Sequence, residues 1–176
     1  MKKVILTILI LLSVNTLAAD FETTIRKPTN DESKRLELLL KTSELSESEL
    51  DKLKKYSVLT INMLHDLGHK NFNFEEESVN LLSGIIDKEG SAYSDKTKNA
   101  LSTLWGAYLG AAIIDNYGGK WVKMGDGSYA VLVGVSNYVF PMVRVYKHIN
   151  NGAEDSILAL YKSVTISTQK IGVITH

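Results

Sequence analysis

The chain of 176 residues contains no cysteine, and this absence removes several kinds of chemistry at once. It excludes disulfide bonds, thiolate nucleophiles and cysteine-ligated zinc. Proline is scarce, with two residues in the whole chain, and neither charge dominates, because 20 basic residues balance 20 acidic ones. Nucleic-acid-binding proteins usually show a strong basic excess, so the composition does not favour that class. The protein must fold around an ordinary hydrophobic core.

Long apolar runs are also missing, except at the amino terminus. There, Met1-Lys2-Lys3 precedes the run VILTILILLSVNTL, and Ala18-Ala19 provides the small residues of a cleavage site. These three parts are typical of a secretory signal peptide. The run is shorter than the roughly 20 residues that span a bilayer, which makes an uncleaved membrane anchor the less favoured alternative. We therefore expect a signal peptide at residues 1–19, a single domain at residues 20–176, and a location in the periplasm or outside the cell.

The spacing of apolar residues predicts a mostly helical domain. Ser46 and Glu49 form a capping-box pattern, and Pro141 is well placed to open a helix. The pair Asp126-Gly127 predicts a β-hairpin between Trp121–Met124 and Tyr129–Val133, with a third strand in SNYVF. Asn30 or Asp31 is expected to cap the first helix, and residues 20–29 to form an extended arm or edge strand. We expect helices over residues 30–41, 46–67, 75–88, 94–117 and 141–149, and a last one from about Glu154, with the tail after it either helix or strand.

The segment LWGAYLGAAIIDNYGGKW, at residues 104–121, has small residues at a regular interval. Gly106 and Gly110 are four apart, as are Ala107 and Ala111, so each pair lies on one side of a helix. A glycine inside a helix costs about 0.5–1 kcal/mol relative to alanine, which indicates that a packing or site constraint offsets the loss. We expect a central core helix whose notch lets a neighbouring element approach closely. The fold class is α+β: a mostly helical single domain with a small antiparallel sheet inserted after this glycine-notched helix.

Few residues carry a recognisable chemical pattern. In HDLGH, His65 and His69 have the spacing of two zinc ligands on a helix, but Gly68 should end that helix and no third ligand is evident. Asp115 borders an apolar stretch and is the most interesting carboxylate, although an exposed position is the commoner outcome. The patterns of nucleotide-binding loops and serine hydrolases are absent. We therefore expect no catalytic residues, no metal and no cofactor.

Aromatic residues concentrate in the second half of the chain and could contact a partner or fill the core. We place the candidate partner-binding residues on or near the sheet. They are Trp121, Asp126, Tyr129 and Tyr138. In the helix after Pro141, the spacing of Met142, Val145, Tyr146 and Ile149 predicts a single apolar face.

The stretch from Leu101 to Ser163 loosely resembles small exported bacterial α+β domains, some of which are toxin-immunity proteins. The shared landmarks are the two notch glycines, Gly118-Gly119 with Trp121, Pro141, Lys147 and Gly152. These are structural landmarks, so the resemblance implies a scaffold and a toxin-neutralising role, without an active site.

We therefore expect an exported binding protein without catalysis, one form of which is an immunity protein that neutralises a secreted bacterial toxin by protein–protein contact. Two alternatives stay open. One is a cell-wall hydrolase that uses carboxylates such as Asp115, and the other is a carrier of a small ligand or lipid in the notch beside Gly106 and Gly110.

Overall fold

The computed structural model describes residues 29–172, without the side chains of residues 35, 36, 38–40 and 165–172. The predicted signal peptide and, apart from Thr29, the predicted arm lie outside the described residues. The chain divides into a unit that ends at Lys34 and a second unit from Arg35 onward, and the core and sites below belong to the second. The helices are α1 (Asn30–Leu40), α2 (Glu47–Asp66), α3 (Glu76–Glu89), α4 (Asp95–Tyr117), α5 (Pro141–Asn151) and α6 (Ile157–Gly172).

One small antiparallel sheet accompanies these helices, which confirms the α+β class. Its strands are β1 (Thr42–Ser43), β2 (Lys120–Met124), β3 (Tyr129–Val133) and β4 (Asn137–Val139), in the order β1-β2-β3-β4. The sequence predicted the last three strands but not β1, which pairs Thr42 with Met124 at the edge. Two residues between helices carry too little pattern to reveal a strand.

Most helix ends follow the capping residues that the sequence offers. Ser46 and Glu49 form the expected capping box at α2, and the Ser94 hydroxyl accepts the Thr97 amide N–H at α4. The expected cap of α1 was wrong. Thr29 takes that role: its hydroxyl accepts the Glu32 N–H, and the Glu32 carboxylate accepts the Thr29 N–H at 2.8 Å.

The start of the last helix also differs from the prediction. Residues Gly152–Asp155 form a short 3₁₀ turn, and α6 begins only at Ile157. The Asp155 carboxylate accepts hydrogen bonds from Arg144 and Asn151 of α5, so this segment is tied back to the preceding helix. The backbone of α6 continues to Gly172, so the ambiguous tail is helical as far as that residue.

Helix α4 is the centre of the second unit and packs against α2, α5, α6 and β3. Its buried side chains include Tyr108, Leu109 and Ile113, none with measurable exposure. The sheet turns one face toward this helical core, with Trp121, Val131 and Val139 in one row. Alternation along the strands puts a second apolar group on the opposite face. That group contains Val122, Met124, Ala130, Leu132 and Tyr138.

Candidate functional site

The notch in α4 is occupied by the protein's own residues. A Cβ atom added to Gly106 would lie 2.6 Å from the Cα atom of Met142, at the start of α5. A Cβ atom added to Gly110 would collide with the indole ring of Trp121 and lie 3.2 Å from Cγ of Pro141. Normal carbon–carbon contacts are about 3.5–4.0 Å, so neither position has room for a side chain. The two glycines let α5 and β2 approach the central helix closely, as the spacing predicted.

This packing defines the role of the notch. Pro141 and Met142 fill it from the start of α5, and the Trp121 ring fills it from the sheet. The space that the carrier hypothesis assigned to a ligand therefore holds side chains and backbone of the protein itself. The notch fixes the position of α5 against α4 and thereby decides which face of α5 points outward.

A charged cluster joins α2 to the sheet around Glu49. One oxygen of this carboxylate accepts hydrogen bonds from the Lys123 ammonium at 2.9 Å and from the Tyr129 hydroxyl at 3.2 Å. The other oxygen accepts the N–H and the hydroxyl of Ser46. The Lys123 ammonium contributes most to lowering the pKa of Glu49 to about 2, below its ordinary value of 4.5, and the two Ser46 donors add to this. All these donors stabilise the ionised carboxylate, so the cluster is a structural anchor for the hairpin.

The lowered pKa of Glu49 leads to a pH prediction. The contribution of Glu49 to stability is full above pH 4.5 and is lost as the pH falls toward 2, because over this range the unfolded state binds a proton at Glu49 that the folded state does not bind. Glu49→Gln should lower the free energy of unfolding at pH 6, and its difference from wild type should shrink steadily toward pH 2. Urea unfolding of both proteins across this range measures the difference. A difference that stays constant with pH would contradict the anchor role.

The pair of His148 and Asp87 has the composition of a catalytic dyad, but both ring nitrogens of His148 are already hydrogen-bonded within the protein. His148 is fully buried, and its Nε2 lies 2.9 Å from an oxygen of Asp87. The Ile157 backbone N–H donates to Nδ1 at 3.3 Å, so that nitrogen carries a lone pair and the proton resides on Nε2. Both ring nitrogens are thus engaged inside the fold. The pair ties α3, α5 and the start of α6 together.

Two serines lie beside this pair without completing a triad. The hydroxyls of Ser83 and Ser156 are 3.2 Å apart, and the Ser156 hydroxyl also accepts the N–H of Ala159 in the first turn of α6. A serine nucleophile needs a histidine nitrogen as its base. Here both nitrogens of His148 are bonded to groups other than a hydroxyl, so the arrangement is a polar junction between helices.

The other chemical candidates are separated. Helix α2 ends at Asp66, and Gly68 has a positive φ of 99°, so His65 and His69 do not share a helical face. His65 Nε2 is 2.8 Å from the carbonyl oxygen of Phe72. Within residues 29–172, no group of three or more metal-binding side chains comes together. Asp115 is exposed near the end of α4, the position that the commoner interpretation gave it.

The four predicted contact residues do not form one surface. Trp121 and Tyr129 face the helices, where the Trp121 ring covers Gly110 and the Tyr129 hydroxyl donates to Glu49. Tyr138 packs on the opposite face of the sheet. Asp126 is exposed at the tip of the hairpin, where its carboxylate accepts the N–H and the hydroxyl of Ser128. Of these four side chains, Asp126 alone is exposed, and the other three are half-buried.

An exposed apolar row on α5 and its N-cap residue, Phe140, is the feature that the sequence interpretation missed. Phe140, Val143 and Tyr146 are 37%, 48% and 45% exposed, although all three are large apolar residues. Spacing by three residues places them along one side of the helix. Val145 and Ile149 are buried on the other side, so the expectation that Tyr146 shares their face was wrong. We call Phe140, Val143, Tyr146 and the exposed Lys147 the outer face of α5.

The sequence of α5 carries only a partial signal of this row. Residues 143 and 146 are three apart, and the charged Lys147 follows directly, which is unusual for a face intended for the core. Scattered exposed apolar residues are ordinary, but three in a row on one helix form a patch of the kind found at interaction sites.

Comparison of the chain with protein-family models, with curated proteins and with solved structures gave no match. Within the part of the chain that the structure describes, no helix is both long enough and apolar enough to cross a membrane.

Proposed function

We propose that this chain is an exported protein that acts by binding another protein, without catalysing a reaction, and that it neutralises a secreted toxin. The observation that carries the proposal is the outer face of α5, where three large apolar side chains are 37–48% exposed on, or at the N-cap of, a helix that packs closely against α4. Protein interfaces typically have such an aromatic and aliphatic centre surrounded by polar groups.

The rigidity of α5 supports this proposal. Its first turn is fixed in the α4 notch by Met142, and its last turn is fixed by the buried His148. A surface that is already ordered loses little conformational entropy on binding, which favours high affinity. The polar groups that could serve catalysis, His148 and Glu49 in particular, are hydrogen-bonded to other residues of the chain and connect its helices and sheet.

A competition experiment between bacteria tests this function. A strain that lacks the gene is grown in contact with its parent, which still secretes its toxins. If the protein confers immunity, the deletion strain should lose to the parent, and the wild-type gene should restore its survival. Equal survival of the deletion strain and the parent would contradict the toxin-neutralising role.

Two matched variants connect that experiment to the proposed surface. Val143→Asp places a charge in the middle of the outer face of α5, and it should abolish the restored survival. Val135→Asp makes the same substitution at a residue that is 92% exposed in the turn between β3 and β4, and it should restore survival fully. Equal behaviour of the two variants would contradict the assignment of the surface, provided circular dichroism shows that both are folded.

A further inference from the structure

We propose that the partner bound by the outer face of α5 presents an acidic protein surface with an apolar centre. This inference rests on the proposed function and names the chemistry of the partner. It depends on which charges stand beside Phe140, Val143 and Tyr146, and on which of those charges are already neutralised.

The segment around α5 is free of carboxylates. From Gly127 to Ala153 the sequence contains no aspartate and no glutamate, whereas Arg144 and Lys147 are basic. Residues 127–153 include β3, β4 and the whole of α5. Any charged side chain of this stretch that a docked partner meets is therefore positive.

The basic groups of α5 differ in how they are used. The Arg144 guanidinium pairs with the buried Asp155 at 3.0 Å, and the His148 ring bonds to Asp87. Lys147 is exposed and makes no ion pair with any residue that the structure describes. It follows Tyr146 directly and lies one helical turn beyond Val143, so its charge sits beside the apolar row.

A second cation lies at the far end of α5. The Lys98 ammonium of α4 donates to the side-chain oxygen of Asn150 at 3.0 Å. This amide is neutral, and Lys98 makes no ion pair with any side chain in the described part of the chain. Two positive charges thus lie at the carboxyl-terminal half of α5, one next to Tyr146 and one at Asn150. Complementary potentials steer association and select partners, so an acidic rim on the partner fits this face.

A second copy of the chain fits it poorly. If two copies met through this face, each Lys147 would approach a helix that carries no carboxylate. Like charges brought together at an interface oppose association. The charge distribution therefore favours a different protein over a homodimer in which this face meets itself.

Photo-crosslinking of the full chain in the cells that produce it tests this inference. Tyr146 is replaced by p-benzoylphenylalanine, which keeps an aromatic ring on the outer face, and Val135 is replaced in the same way as a control. The crosslinked peptide of the partner is then identified by mass spectrometry. The same experiment is repeated in the Lys147→Glu and Lys147→Arg backgrounds, which reverse and keep the charge.

We expect position 146 to crosslink to another protein, at a peptide of that protein rich in aspartate and glutamate. We expect no crosslink from position 135. Lys147→Glu should reduce the yield about tenfold, while Lys147→Arg should keep it. A yield that Lys147→Glu leaves unchanged would overturn the acidic partner and leave the binding function standing. A crosslink to a second copy of this chain would overturn the partner class, and no crosslink at all would contradict both the inference and the proposed function.

Discussion

Gly106→Ala is expected to lower the free energy of unfolding by about 2 kcal/mol, even though alanine is the better helix former. The new methyl group would lie 2.6 Å from the Cα atom and 2.8 Å from the backbone N atom of Met142. A flexible side chain could rotate away, but the backbone of α5 must shift as a whole. Overpacking typically costs about 1–3 kcal/mol, and because backbone atoms must move here we expect the upper end, about 3 kcal/mol. Subtracting the gain of about 1 kcal/mol in helix propensity leaves the net loss.

Gly84 provides the matched control for this variant. It lies inside α3, is exposed, and an added Cβ atom would meet no neighbouring atom within 4 Å. Gly84→Ala should therefore raise the free energy of unfolding by about 0.5–1 kcal/mol through helix propensity alone. Urea unfolding monitored by circular dichroism measures both changes. If the two variants shift stability in the same direction, the close approach of α5 to α4 is wrong.

His148→Leu should have an effect of similar size for a different reason. Leucine can fill much of the space, but it offers no acceptor to the Ile157 N–H and no donor to Asp87. Leaving a buried donor without a partner costs about 1–3 kcal/mol, and the hydrogen bond to the carboxylate is lost as well. We expect a total loss of about 2–4 kcal/mol.

Asp87→Asn tests the hydrogen bond between His148 and Asp87 separately from the one between His148 and the Ile157 N–H. The asparagine oxygen can still accept the His148 Nε2–H, and Asp87 is partly exposed, so the loss should be about 1 kcal/mol or less. Thermal unfolding of both variants gives the comparison. If Asp87→Asn destabilises the protein as much as His148→Leu, the hydrogen bond from the Ile157 N–H is not the main source of the stability that His148 provides.

Sequence patterns predicted the interior of this fold better than its surface. The notch in α4 could be predicted because two glycines four apart weaken an apolar helix unless a neighbouring element packs against them. The boundaries of α4 followed from the Ser94 cap and from Gly118, which the structure places at a φ of 73°. These signals are local, so they need no knowledge of what packs where.

The outer face of α5 was missed because its pattern is locally ambiguous. Tyr146 lies four residues after Met142 and one after Val145, so spacing alone allows it to join either side of the helix. The notch decides the matter, since Met142 is held against Gly106 and the helix cannot rotate to bury Tyr146. The charged cluster of Glu49 with Lys123 was missed for a related reason, because its members lie 74 residues apart in sequence.

The fold and the proposed function are connected through this one helix. The α4 notch holds α5 from one side, the His148 junction holds its far end, and the remaining side of α5 presents apolar residues to solvent. Loss of the notch packing would therefore disturb the outer face as well as stability.

A double-mutant cycle between Gly110 and Trp121 tests the notch most directly. In the wild-type background, Gly110→Ala forces a methyl group against the indole ring and should destabilise the protein. In a Trp121→Leu background the ring is gone, so the same substitution should become neutral or stabilising through helix propensity. We predict a coupling free energy of about 2 kcal/mol from urea unfolding of the four proteins. Additive effects, with a coupling below about 0.5 kcal/mol, would contradict the packing of Trp121 into the glycine notch.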